Sequence, residues 1–256
     1  MKEKIILYFI GTAGSGKSTL TNSFKLWLDM KSLDSIIINL DPGAENLPYM
    51  PDVDIRDWIS LNEIMKNYGL GPNGAQIACA DMIAMNAEDI KNSINSFQSD
   101  YILVDTPGQL ELFAFRESGK YIIDYINKKR SMIAYLIDYS LAQNPSGFVS
   151  QMLLSLSTNF RINLPQMNIL SKSDLLGEND RKKVISWSED IELLLTDLEN
   201  QNPSIYREMS EKILKIINEF ENKIQIFPTG KDFFGVEDIY NNIQIQFLGG
   251  EDLQKD

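Results

Sequence analysis

Gly11-Thr12-Ala13-Gly14-Ser15-Gly16-Lys17-Ser18 constrains this chain more than any other segment, because it follows the apolar run Ile5–Ile10 and precedes a helical pattern from Thr19 to Met30. Small residues here let successive backbone N–H groups curl around phosphate oxygens, and the helix start adds partial positive charge. The spacing G-x-x-x-x-G-K-[ST] is that of a phosphate-binding P-loop. Backbone from Gly11, Ala13, Gly14, Ser15, Gly16 and Thr19 is expected to cradle the phosphates. Lys17 is then expected to neutralise the β- and γ-phosphates, and the Ser18 hydroxyl to ligate Mg²⁺.

Around that loop, short apolar runs alternate with longer helix-patterned stretches: Ile5–Ile10, Ser35–Leu40, Tyr101–Val104, Met132–Ile137, Gln166–Leu170 and Ile224–Phe227. Continuous apolar strands separated by helices predict a mostly parallel sheet covered on both faces, an α/β fold of three layers. Such sheets bind ligands at the carboxyl ends of their strands. There stand Gly11, Asp41, Asp105, Asp138 and Ser171. From Asp41 to Tyr101 the pattern is less regular, with prolines and glycines between apparent helices at Ile55–Tyr68 and Ala75–Phe97, so residues 42–100 read as an insertion in a single domain spanning 1–250. Two amphipathic helices are expected near the end, one through Ile191, Leu194, Leu195 and Leu198, the other through Met209, Ile213, Ile216, Ile217 and Phe220. Ser186 and Glu189 have the spacing of a capping box before the first, and Glu251–Asp256 reads as an acidic tail.

Composition narrows the chemistry. Cys79 is the lone cysteine among 256 residues and histidine is absent, which excludes intramolecular disulfides, Cys/His zinc sites and any histidine-based acid/base scheme. Catalysis must rest on carboxylates, amides, lysine and a metal. A net charge of −12 argues against nonspecific nucleic-acid binding. The longest apolar runs fall far short of the roughly 20 residues of a spanning helix, so no membrane association and a cytoplasmic location are expected.

Asp105-Thr106-Pro107-Gly108 ends the strand Tyr101–Val104, where a carboxylate holds Mg²⁺ beside the γ-phosphate and Gly108 can present its N–H to that phosphate. Gln109 and Glu111 follow, an amide and a carboxylate suited to orienting and polarising an attacking water. Ser171-Lys172-Ser173-Asp174 comes after the strand Gln166–Leu170. A carboxylate at that edge accepts two hydrogen bonds from guanine, a donor pair adenine lacks, which favours GTP over ATP. Pro228-Thr229-Gly230 would complete the base side through Thr229.

Together these residues resemble the GPN-loop GTPases, a SIMIBI-type family in the P-loop class. The resemblance rests on Gly71-Pro72-Asn73 in the insertion, taken with Gly11–Thr19, Asp41-Pro42-Gly43, Asp105–Glu111 and Ser171–Asp174 in the family's order. It runs from Ile5 to Phe247, and the short C-terminus is similar to that of the single archaeal-type member. It implies a homodimer whose Gly-Pro-Asn loop reaches the partner's nucleotide, placing Asn73 near the γ-phosphate in trans. It also implies that Asp41 lies near Mg²⁺ and the attacking water, that Gln109 and Glu111 position that water, and that Lys172 and Asp174 hold guanine. GTP/GDP and Mg²⁺ are the implied ligands, and biogenesis of RNA polymerase or another client complex the implied setting. The chain departs from the usual pattern at Ser171, where GTPases commonly carry Asn, at Gly43, where Ala is frequent, and at Pro228-Thr229-Gly230, which lacks the usual Ser-Ala. Arg116 lies near the switch segment without the motif of an arginine finger. Two other readings stay open: a P-loop kinase passing phosphate to a small acceptor with Asp41 as base, and a nucleotide-gated assembly scaffold in which hydrolysis resets a switch.

Overall fold

The computed structural model describes residues 4–201, 212 and 225–249. Strand β1, Ile5–Gly11, is buried along its whole length and lies at the centre of a seven-stranded sheet. With β2 Ser35–Asn39, β3 Val53–Asp54, β4 Tyr101–Asp105, β5 Ser131–Asp138, β6 Gln166–Ser171 and β7 Ile226–Pro228, the strand order is β3-β2-β4-β1-β5-β6-β7. Every pairing among the described strands is parallel. The apolar runs mark six of the seven strands. β3, two residues long, is too short for a pattern to reveal, and Ile224 of the expected last strand lies outside the described residues.

Alternation along β1 divides the core in two, because successive side chains of a strand face opposite sides. Ile6, Tyr8 and Ile10 join one cluster, and Ile5, Leu7 and Phe9 the other. The second face is covered by helix α1, Lys17–Met30, through Leu20, Phe24, Trp27 and Leu28, and by the last described helix, Val236–Leu248, through Val236, Ile239 and Ile243. The first face carries α2 Leu61–Tyr68, α3 Pro72–Met85, α4 Ala87–Ser96, α5 Leu110–Phe113, α6 Glu117–Asn127, α7 Tyr139–Ala142, α8 Pro145–Ile162, α9 Glu178–Glu189 and α10 Ile191–Gln201. Full burial of each large aliphatic or aromatic side chain contributes roughly 1.5–3 kcal/mol, so these two sandwiched faces supply the main driving force for the fold.

Segment 42–100 shares this core. It supplies edge strand β3, and Ile55, Ile64, Cys79, Ile83 and Ile90 are buried in the first cluster. Its helices are more broken than the apolar pattern implies. Ile55–Tyr68 is a 3₁₀ turn at Ile55–Asp57 followed by α2, because the Ser60 hydroxyl accepts the Glu63 N–H and starts a new helix. Ala75–Phe97 is two helices hinged at Asn86, and the first starts three residues earlier with Pro72 in its opening turn. The Ser186–Glu189 capping box does not form. Ser186 is inside α9, its hydroxyl donating to the Lys183 carbonyl, and Asp190 caps α10 by accepting from the Glu192 and Leu193 N–H groups. The apolar face of α10 is as expected, with Leu194 buried and Ile191, Leu195 and Leu198 against the core. The Met209–Phe220 helix and the Glu251–Asp256 tail lie outside the described residues.

Candidate active site

β1 delivers the chain to Gly11, and the loop turns into α1 through two left-handed glycines, Gly14 (φ 77°) and Gly16 (φ 96°). Gly11 has no room for a side chain: a Cβ there would lie 2.7 Å from the Leu136 carbonyl oxygen and 2.8 Å from Ser15 Oγ. Lys17 is buried, and its Nζ donates to the carbonyls of Gly11 (2.9 Å), Thr12 (3.0 Å) and Gly108 (3.0 Å). Burial pushes this ammonium below the ordinary lysine value, while the carboxylates of Asp105 and Asp41 oppose the shift. One cation thus ties the phosphate loop to the segment after β4.

The same segment is held from the other side by Asp41. Its Oδ1 accepts the Gly43 N–H at 2.9 Å in a tight Asx turn, and its Oδ2 accepts the Gly108 N–H at 2.9 Å. Buried Asn39 at the end of β2 fixes that turn: its Oδ1 accepts the Asp41 N–H, and its Nδ2 donates to the Asp41 carbonyl and to Asp54 Oδ1. Asp54 in turn pairs with Arg56, whose Nη1 donates to the Ala44 carbonyl. Asp105 is 1% exposed at the end of β4, level with Phe9. Tyr49 Oη donates to its Oδ2 at 2.6 Å, while Oδ1 is buried without a protein partner. Burial raises the Asp105 carboxyl above the usual range, against the lowering effects of Ser18, Tyr49 and Lys17.

Two hollows flank the phosphate loop. The smaller, about 210 Å³, is bounded by Ala13, Asp41, Gly43, Gln76, Gly108 and Gln109. The larger, about 460 Å³, runs along Gly16, Thr19, Ser171, Lys172, Asp174 and Thr229 to Lys231 and Asp232. In the larger one the left-handed Lys172 (φ 54°) lays its chain beside Gly16 and donates Nζ to the Gly14 carbonyl at 2.7 Å. Asp174 is exposed and rests against Gly230, where a Cβ would lie 2.8 Å from its Oδ1. Ser171 is buried, its hydroxyl donating to the Ser15 and Ile137 carbonyls, so its side chain braces the phosphate loop. Thr229 is buried as well, and its carbonyl accepts the Ser173 N–H at 2.8 Å.

Of the residues expected to act on water, Gln109 borders the small hollow and donates Nε2 to Gln76 Oε1 at 3.1 Å. Glu111, in the first turn of α5, is exposed and borders neither hollow. Asn73 is exposed in the first turn of α3 and is also absent from both linings. Arg116 is engaged by Asp81 in an ion pair. Sequence reasoning missed three contributors. Gln76 sits one helical turn after Asn73, a spacing visible once Pro72 is recognised as a helix start. Asn39 is a polar residue closing an apolar strand. Tyr49 stands alone between Pro48 and Pro51 and carries no pattern.

The donor set suits Mg²⁺, a hard ion that takes one or two carboxylates together with phosphate oxygens and water. A buried carboxylate oxygen of Asp105 lacks a partner, and the Ser18 hydroxyl stands beside that carboxylate. Among the described residues no group of three or more Asp, Glu or Cys side chains forms a metal cage, which a phosphate-assisted site does not need.

A parallel sheet with a phosphate loop after β1, a buried carboxylate at the end of β4 and a cleft beyond β6 defines a P-loop nucleotide-binding protein. Residues 9–245 match a family model described as conserved hypothetical ATP binding protein. The chain is 32% identical over 238 residues to the GPN-loop GTPase PAB0955 of Pyrococcus abyssi, covering 92% of this chain and 94% of that one. The apo crystal structure of PAB0955 superposes with a TM-score of 0.84 at 30% identity, over 93% of this chain and 96% of the other. Similarity to the GPN-loop GTPase QQT1 of Arabidopsis thaliana is 33% over 223 residues, 82% of this chain and 74% of QQT1. The chain belongs to the GPN-loop GTPase family.

Proposed function

We propose that this GTPase hydrolyses GTP to GDP and phosphate with Mg²⁺ bound, acting as a homodimeric nucleotide-dependent switch for assembly of a client complex. The observation that carries the reading is the placement of two hollows on either side of the phosphate loop, the Asp174 cleft reached past Lys172 and Gly16 on one side and the hollow bounded by Asp41, Gly108 and Gln109 on the other. Guanine fits the cleft end, where Asp174 accepts from its two N–H donors and the Lys172 chain covers one edge. The loop from Gly11 to Thr19 wraps the phosphates, and Lys17 exchanges its carbonyl partners for phosphate oxygens. Ser18 and Asp105 would hold Mg²⁺, which would supply neutralisation of the charge on the phosphates. Asp41 and Gln109 flank the in-line water, and Gly108 presents its N–H once Asp41 releases it. Glu111, in the first turn of α5 and outside both hollows, is a further candidate for orienting that water, and Asn73 completes the site from the partner.

The role of the carboxylate Asp174 predicts at least a tenfold preference for GTP and GDP over ATP, since each charge-assisted hydrogen bond contributes roughly 1.5–3 kcal/mol. Binding of GTP, GDP and ATP measured in parallel, with and without Mg²⁺, tests this. Equal affinity for ATP would overturn the guanine assignment. The kinase alternative gains no support from the family, whose matched members are named GTPases.

A further inference from the structure

Asp41 begins a strap that runs to Asp52, and both of its ends are fastened. Asp52 exchanges two hydrogen bonds with Ile37, its N–H reaching the Ile37 carbonyl and its Oδ2 accepting the Ile37 N–H, each at 2.8 Å. At the other end Asn39 clips the Asp41 turn, and Arg56 holds the Ala44 carbonyl. Between these anchors Tyr49 packs its ring against the core on the α1 face and aims its hydroxyl at Asp105. The bond is short, 2.6 Å, and engages only Oδ2. Oδ1 of the same buried carboxylate has no protein partner.

A carboxylate held through one oxygen by Tyr49, with the Ser18 hydroxyl beside it, is restrained from rotating, and groups that orient a metal-binding carboxylate in this way typically change metal affinity 10- to 100-fold when removed. We propose that Tyr49 is the positioning residue for Asp105, its phenol holding Oδ2 so that Oδ1 is left in a fixed place for the divalent ion. The proposal rests on the Mg²⁺ reading given above. The strap then serves both parts of the site, since Asp41 at its start meets the γ-phosphate end and Tyr49 in its middle sets the metal carboxylate.

Tyr49→Phe removes one oxygen and keeps the ring, so the test is specific. Mn²⁺ affinity of the GDP complex, read by electron paramagnetic resonance of the free ion, is expected to weaken about tenfold or more. Metal-free GDP affinity is expected to stay at the wild-type value, and kcat to recover at saturating Mg²⁺, a rescue that a general packing defect would not allow. Incorporating 3-fluorotyrosine at position 49, a stronger donor of nearly the same shape, is expected to move Mn²⁺ affinity away from the wild-type value. That second variant keeps the proposal testable if the phenylalanine protein folds poorly. Unchanged Mn²⁺ affinity in both variants, with normal Mn²⁺ binding by the wild-type complex, overturns the role of Tyr49 alone. A wild-type complex that binds no divalent ion overturns the Mg²⁺ reading together with it.

Discussion

The Asp174 side chain occupies the space that a side chain at Gly230 would fill, and the absence of one is what lets the carboxylate sit there. A methyl group at 230 would meet Asp174 Oδ1 at 2.8 Å and its Cβ at 3.0 Å. Because Asp174 is exposed, the side chain can yield at little cost in stability, and the consequence falls on recognition. Gly230→Ala is therefore expected to weaken GDP binding about tenfold, the worth of one charge-assisted hydrogen bond, with the thermal midpoint nearly unmoved. Isothermal titration of GDP and ADP beside a melting curve checks both parts. An equal loss for both nucleotides would mean that the cleft is blocked and that base reading is unaffected. Lys17 was legible from sequence because its role is encoded locally, by a spacing of glycines. The contact of Gly230 with Asp174 was not legible, since it joins loops after two different strands.

At the scale of elements, β2 and β3 are joined to the catalytic turn by one buried amide. Asn39 uses its Nδ2 and Oδ1 in three hydrogen bonds, spanning Asp54 and both backbone groups of Asp41. Asn39→Ala removes these three part-buried bonds, while Asp54 keeps its pairing with Arg56, and a hydrogen bond of this kind contributes about 0.5–1.5 kcal/mol net. Urea unfolding is expected to show a drop of about 2 kcal/mol, and turnover is expected to fall at unchanged GDP affinity. Retained turnover at full stability would show that the Asp41 turn needs no clip. The strands themselves were legible as apolar runs, because a parallel sheet buried on both faces permits little else. Helix boundaries in segment 42–100 were not: Ser60 and Asn86 interrupt apolar periodicity with local hydrogen bonds or a change of direction that periodicity does not encode.

At the scale of the molecule, α3 connects two places. Gln76 borders the small hollow of its own chain, while Asn73, one turn nearer the helix start, is exposed and outside that hollow. An exposed Asn73 is free to meet a second copy. Mixing Asn73→Ala protein with Lys17→Ala protein tests the arrangement directly. In a mixed dimer the first copy keeps a working phosphate loop and receives an intact Asn73 from the second, so GTP turnover of the mixture is expected to exceed the sum of the two proteins alone. No gain on mixing, with subunit exchange verified, overturns action in trans.

What the sequence determined by itself is the local chemistry: a phosphate loop between strand and helix, carboxylates at strand ends, and an acidic chain without histidine. These are written in spacing and periodicity, which neighbouring residues carry between them. Only the tertiary structure decided that Asp41 grips Gly108, that Tyr49 grips Asp105, that Gln76 meets Gln109 and that Ser171 braces the phosphate loop. Each of those contacts joins residues at least 33 positions apart; three of them exist because the parallel sheet brings the carboxyl ends of its strands to one edge, and the fourth because α3 packs Gln76 against the segment after β4.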